Sequence, residues 1–136
     1  MTAITTRPPL SDSTDSLLRF ALRADATLTG LFGLGVAAAA GSVSTLTGLT
    51  AAQAFALGAA LVVYGLVVYS LAALPSLRAV GIGVAIANVV CTLACVVVVA
   101  AGTPSLTQAG VIVTLAMAVY TGFFAWLQYL GVRRLA

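Results

Sequence analysis

The run AVGIGVAIANVVCTLACVVVVAA, Ala79 to Ala101, holds 23 residues without a single charge, and its reading decides the architecture. An α-helix rises about 1.5 Å per residue, so about 20 apolar residues cross the roughly 30 Å hydrocarbon core of a bilayer. Three other runs meet the same requirement: Leu22 to Gly41, Ala54 to Leu74 and Ala109 to Leu130. With their ends included, helices are expected at roughly 15–41, 52–74, 77–101 and 105–132, after a loose tail over 1–14. The expected fold class is all-α: an integral membrane four-helix bundle forming one domain over 1–136.

Composition points the same way. Of 136 residues, 62% are hydrophobic and 7% charged, and the mean hydropathy is +1.17. A chain of this size has too little interior to hide so much apolar surface from water. It contains no His, Lys or Glu, which removes most of the side chains used for proton transfer, Schiff bases and metal capture. No enzyme activity is expected, nor a cofactor.

The charges are distributed unevenly. Arg7, Arg19 and Arg23 precede or begin the first run, Arg78 lies between the second and third, and Arg133 and Arg134 follow the fourth. Asp12, Asp15 and Asp25 accompany the first group, while the other two connections are uncharged. Because Lys and Arg resist translocation, both termini and the Arg78 loop are expected in the cytoplasm. The net charge of +3 then reflects orientation and contact with anionic headgroups, and no nucleic-acid partner is expected. Phe20, Tyr69, Trp126 and Tyr129 fall toward the same ends, at the depth amphipathic rings favour.

Helix boundaries carry their own signals. Thr50 with Gln53 matches a capping box for the second helix, and Ser105 with Gln108 matches one for the fourth. Pro75-Ser76 separates helices two and three, and Thr103-Pro104 marks the approach to the fourth. Leu17, Leu18, Phe20 and Leu22, interleaved with Asp15, Arg19 and Arg23, read as a short interfacial lead-in to the first span. A cleaved signal peptide is the rival reading, with Ala38, Ala39 and Ala40 imitating a cleavage site, but the polar stretch before it is long. The segments Ser42 to Thr50 and Gly102 to Thr107 are expected to be short outer loops.

Inside lipid, helices associate by close approach and hydrogen bonds, which favours small residues at contacts. Thr29, Gly33, Ala37 and Gly41 form such a row on the first helix. Gly83, Ala87, Cys91 and Cys95 form one on the third, and Gly110, Thr114, Ala118 and Gly122 one on the fourth. Rows beyond the bundle's own needs would serve a membrane partner or a homo-oligomer.

Five residues are candidates for an interhelical polar network or pathway: Asp25, Tyr64, Arg78, Asn88 and Gln128. An acid in a span is costly unless partnered. The neighbours of Asp25 one turn away, Ala21, Leu22, Leu28 and Thr29, include no cation. It is therefore expected to pair across helices with Arg78, Arg133 or Arg134, or to accept from Gln128 or Tyr69. Asn88, near the bilayer midplane, needs Tyr64, another hydroxyl or a carbonyl. Cys91 and Cys95, four apart, are too few for a thiolate metal site without histidine, and read as small packing residues.

The stretch Leu22-Arg23-Ala24-Asp25-Ala26 with Thr29-Gly30, and the ending Leu127-Gln128-Tyr129-Leu130-Gly131-Val132-Arg133-Arg134, resemble a group of small bacterial four-helix inner-membrane proteins of unassigned function. The likeness would span most of the chain, and it supplies no activity to transfer. Richness in Ala, Val and Gly, with arginine in place of lysine, suits a high-GC bacterium such as an actinobacterium. The leading expectation is a non-enzymatic accessory or stabilising subunit of a larger membrane assembly or homo-oligomer. A small oligomeric transporter with Asp25 as its coupling carboxylate is the second, resembling four-helix multidrug exporters only in size, helix count and one membrane acid. A binder of lipid or another hydrophobic ligand is the third.

Overall fold

A computed structural model describes residues 14–136, so the expected tail lies, except for Thr14, outside the described residues. Five helices follow in order: α1 (Ser16–Ala38), α2 (Ala40–Thr47), α3 (Ala51–Leu71), α4 (Arg78–Ala101) and α5 (Gln108–Arg133). Four of them, all but α2, are long and apolar enough to cross a membrane. The chain is all-α among the described residues.

α1 packs along α3 and α4 along α5, and the two hairpins join chiefly where α1 meets α5. The α1–α3 seam is made by small residues. A methyl group added at Gly58 would sit 2.5 Å from the backbone N of Ala37, and one at Gly65 would sit 2.6 Å from the carbonyl of Ala26. The two backbones therefore touch, which is how helices without bulky knobs gain dispersion contacts. At the arginine-bearing end, Leu18, Leu22, Val68, Ala72, Leu77 and Val84 form a buried apolar cluster drawn from α1, α3, the α3–α4 connection and α4.

Thr50 caps α3 with the reciprocal pair the spacing predicts. Its hydroxyl accepts from Gln53 N at 3.0 Å, and Gln53 Oε1 accepts from Thr50 N at 2.9 Å. Two expectations need correction. The segment Ser42 to Thr50 is not a loop along its length, because α2 occupies residues 40–47. Its polar side chains do not break the helix, since Thr45 and Thr47 donate back to Gly41 O and Val43 O one turn earlier. Gly48 then ends it at φ 87°, a left-handed conformation that favours glycine.

The fourth long helix starts two residues later than the Ser105 box implies. Thr107 is its cap, accepting from Gly110 N at 3.0 Å. Thr107 also donates its N–H to Thr47 O at 2.9 Å and its hydroxyl to Leu46 O at 2.5 Å. The end of α2 thus selects the cap, a tertiary contact that residue spacing cannot show.

Candidate functional site

Asp25 is the acid among the buried polar side chains. It is the tenth residue of α1, and its helical neighbours Ala21, Leu22 and Ala26 are buried with it. The carboxyl is completely enclosed, with 0% of the residue exposed, as is Gln128, while Asn88 is 3% exposed. Burial of this kind is tolerable only when every oxygen finds a donor.

All four long helices supply one. Oδ2 accepts from Tyr64 Oη on α3 at 2.8 Å, from Asn88 Nδ2 on α4 at 2.9 Å and from Gln128 Nε2 on α5 at 2.9 Å. Oδ1 accepts from Thr29 Oγ1, one turn along α1, at 3.0 Å and from Tyr120 Oη on α5 at 3.2 Å. Around this hub a second set closes the cluster. Asn88 Nδ2 also donates to Gln128 Oε1 at 3.0 Å, and the hydroxyls of Thr29 and Tyr120 lie 2.9 Å apart. One turn along α4 from Asn88, Thr92 shares a hydroxyl contact of 2.7 Å with Thr121 of α5.

The depths agree without adjustment. Asp25 lies about 14 Å from the start of α1 and Asn88 about 15 Å from the start of α4, at about 1.5 Å per residue. Both starts are at the arginine-bearing end, where Gly131 and Gly81 pack on Leu18.

Four of the five sequence candidates, Asp25, Tyr64, Asn88 and Gln128, converge here, and Arg78 does not. Arg78 is exposed at the first position of α4, ten residues and about 15 Å along the helix from Asn88. Arg133 and Arg134 are likewise exposed at the end of α5. The expected arginine partner is thus replaced by neutral donors, because at this depth the facing helices present amides and hydroxyls. Tyr69 is also outside the cluster, exposed beneath the Arg23 guanidinium.

Tyr120 is the member that sequence reasoning passed over. Its signal was present: a hydroxyl in the middle of an apolar run must be bonded somewhere. Thr29, read as a packing residue, is both that and a donor. Cys91 and Cys95 are exposed and half-buried free thiols on α4. Among the described residues, no group of three or more His, Cys, Asp or Glu side chains comes together.

Chemically, the cluster is a carboxyl held by five groups that can each donate. An ionised carboxylate offers about four lone-pair sites and accepts only, so this arrangement fills it. Donor protons directed inward oppose a metal cation in the same space, since a cation needs oxygen lone pairs turned toward it. The arrangement joins four helices at one point. Compared with known proteins, the chain matches no family model, no curated protein and no solved structure.

Proposed function

We propose that this protein is a multi-pass subunit of a bacterial inner membrane, with both termini cytoplasmic, that works by associating with other membrane-embedded chains and not by catalysis. The four long apolar helices and the arginines gathered at one end support the insertion and its direction. Phe20, Tyr69, Trp126 and Tyr129 are all exposed toward that end, as rings at headgroup level are.

One observation carries the association. The small-residue rows of α1, α3 and α5 are largely consumed inside the bundle, where Gly33, Gly58, Gly65, Gly110 and Gly131 each meet a neighbouring helix. On α4 the row is spare. Gly83 and Cys91 are exposed, Ala87 and Cys95 are only partly covered, and an added methyl at Gly83 meets nothing within 4 Å. From Val89 to Ala101 no residue of α4 is buried. Lipid covers an apolar surface as well as protein does, so hydrophobicity alone demands no partner; a row of small residues lets another backbone approach closely.

The test uses native membranes and mild detergent. The chain is expected in a complex larger than a monomer, and Cys91 is expected to cross-link to a neighbour, a second copy giving a doubled mass. Ala87→Trp should dissolve the complex while helicity is retained. A lone monomer under several gentle extraction conditions would defeat the proposal.

A second reading has its own support. Asp25 is contacted from four helices by neutral donors, with no arginine among the described residues in contact, and an ionisable residue inside a span is a candidate member of a proton route. Binding a proton there removes an acceptor site and so disturbs contacts to α3, α4 and α5 together. Proton-coupled flux in liposomes that persists unchanged in Asp25→Asn would reject it.

A further inference from the structure

At the arginine-bearing end, α1 and the end of α3 leave between them a cleft of about 640 Å³ that opens outward. Arg19, Arg23 and Tyr69 line it together with Asp15, while Phe20 and Leu28 supply an apolar wall. Arg19 and Arg23 are four apart, so both guanidinium groups rise from one face of α1.

Their situations differ. Arg19 is engaged through both terminal nitrogens: Nη2 donates to Asp15 Oδ2 at 2.6 Å, and Nη1 donates to the carbonyls of Ala72 at 2.5 Å and Leu74 at 3.2 Å. It neutralises Asp15 and satisfies carbonyls beyond the last turn of α3. Arg23 is exposed, and its guanidinium lies 5.9 Å from the centre of the Tyr69 ring. Among the described residues it has no carboxylate within ion-pair distance, the one such pair being Arg19 with Asp15. The ring limits where the guanidinium can go, and its fork of donors is left for something else.

Arg23 is about 10 Å along α1 from its start, within reach of the headgroup level for a long side chain whose stem follows apolar surface. A ligand here must bring a negative charge to Arg23 and an apolar portion to Phe20 and Leu28. A free anion supplies only the first. We propose that this cleft binds one anionic phospholipid, its phosphate against the Arg23 guanidinium and its acyl chain along Phe20 and Leu28. This rests on the inner-membrane reading above.

The experiment takes the full chain, delipidated in dodecyl maltoside, and adds phosphatidylglycerol or phosphatidylcholine before native mass spectrometry. One phosphatidylglycerol should be retained in preference to phosphatidylcholine. Arg23→Ala should reduce that retention about fivefold, the effect of one cation near anionic lipid, with Arg23→Lys between the two. Arg134→Ala, an exposed arginine at the same end, should leave it unchanged, and millimolar inorganic phosphate should not displace the lipid. Equal loss in both alanine variants would mean a diffuse field and overturn the site. Displacement by phosphate would assign a free-anion site instead, and undiminished retention in Arg23→Ala would remove Arg23 from it. Circular dichroism of each variant checks that helicity is intact. An alkaline wash of membranes separates the two levels: release of the chain defeats the membrane reading, whereas an embedded chain that retains no lipid defeats the cleft alone.

Discussion

Removing the carboxyl at the centre of the bundle is the perturbation with the most specific consequence. In Asp25→Ala, Thr29 and Tyr120 can still satisfy each other across 2.9 Å, and Asn88 still donates to Gln128 Oε1. The groups left without an acceptor are the Tyr64 hydroxyl and one Gln128 N–H, both directed at Oδ2, while the second Asn88 N–H keeps Tyr64 Oη at 3.4 Å. Orphaning a buried donor costs about 1–3 kcal/mol in water-soluble proteins, and interhelical hydrogen bonds in membranes average about 0.6 kcal/mol. Two such groups place the loss at about 1–3 kcal/mol. Asp25→Asn behaves differently. Its carbonyl can take the place of Oδ2, and its amide can donate to the Thr29 and Tyr120 hydroxyls, which accept as readily as they donate. The amide matches the carboxyl in shape, so unlike alanine it leaves no donor of the cluster unpaired. The net change should be below about 1 kcal/mol. Both variants can be unfolded reversibly by titrating sodium dodecyl sulfate into mild detergent, with far-ultraviolet circular dichroism and Trp126 fluorescence as independent readouts. Adding Gln128→Leu to Asp25→Ala should show a coupling energy above about 0.5 kcal/mol, as contacting residues do. If Asp25→Ala is as stable as the parent, or the two changes are simply additive, the cluster does not hold the helices together.

Three other outcomes follow from the geometry. Gly58→Ala should destabilise by about 1–3 kcal/mol despite alanine's better helix propensity, because its methyl meets the α1 backbone. Gly35→Ala, with nothing within 4 Å of the added atom, should be neutral or gain up to about 1 kcal/mol; the same detergent titration compares them. Thr107→Val should cost about 1–2 kcal/mol, since it removes both the cap of α5 and the bond to Leu46 O, and thermal denaturation in detergent reads it. With both native cysteines replaced by alanine, a cysteine at Arg78 should react with an impermeant maleimide only from the cytoplasmic side, and one at Ser105 only from outside; reversed labelling would invert the orientation.

Much of this molecule is legible along the chain because its controlling patterns are local. A span is a property of about 20 consecutive residues, and no lipid-exposed backbone can leave its hydrogen bonds unmade, so the run Ala79 to Ala101 implies a helix wherever it sits. The Thr50 cap is equally local, closing within three residues. The need of Asp25 and Asn88 for partners was also readable, since a polar group within an apolar run has a cost that the sequence states by itself.

The choice of partners required the fold. Nothing in the spacing of Asp25, Tyr64, Asn88, Tyr120 and Gln128 places them together, because that depends on how far each helix is displaced along its axis against the others. A displacement of one turn is about 5.4 Å, enough to exchange an amide for an arginine as the facing group. Close glycine contacts between α1 and α3, and between α1 and α5, set those displacements. Tertiary packing therefore decided that the buried acid faces neutral donors, that Thr107 caps α5, and that the small-residue row of α4 is left facing outward. The residues determined how many helices form and what each must hide; the register between helices, a property of no single segment, determined what each one meets.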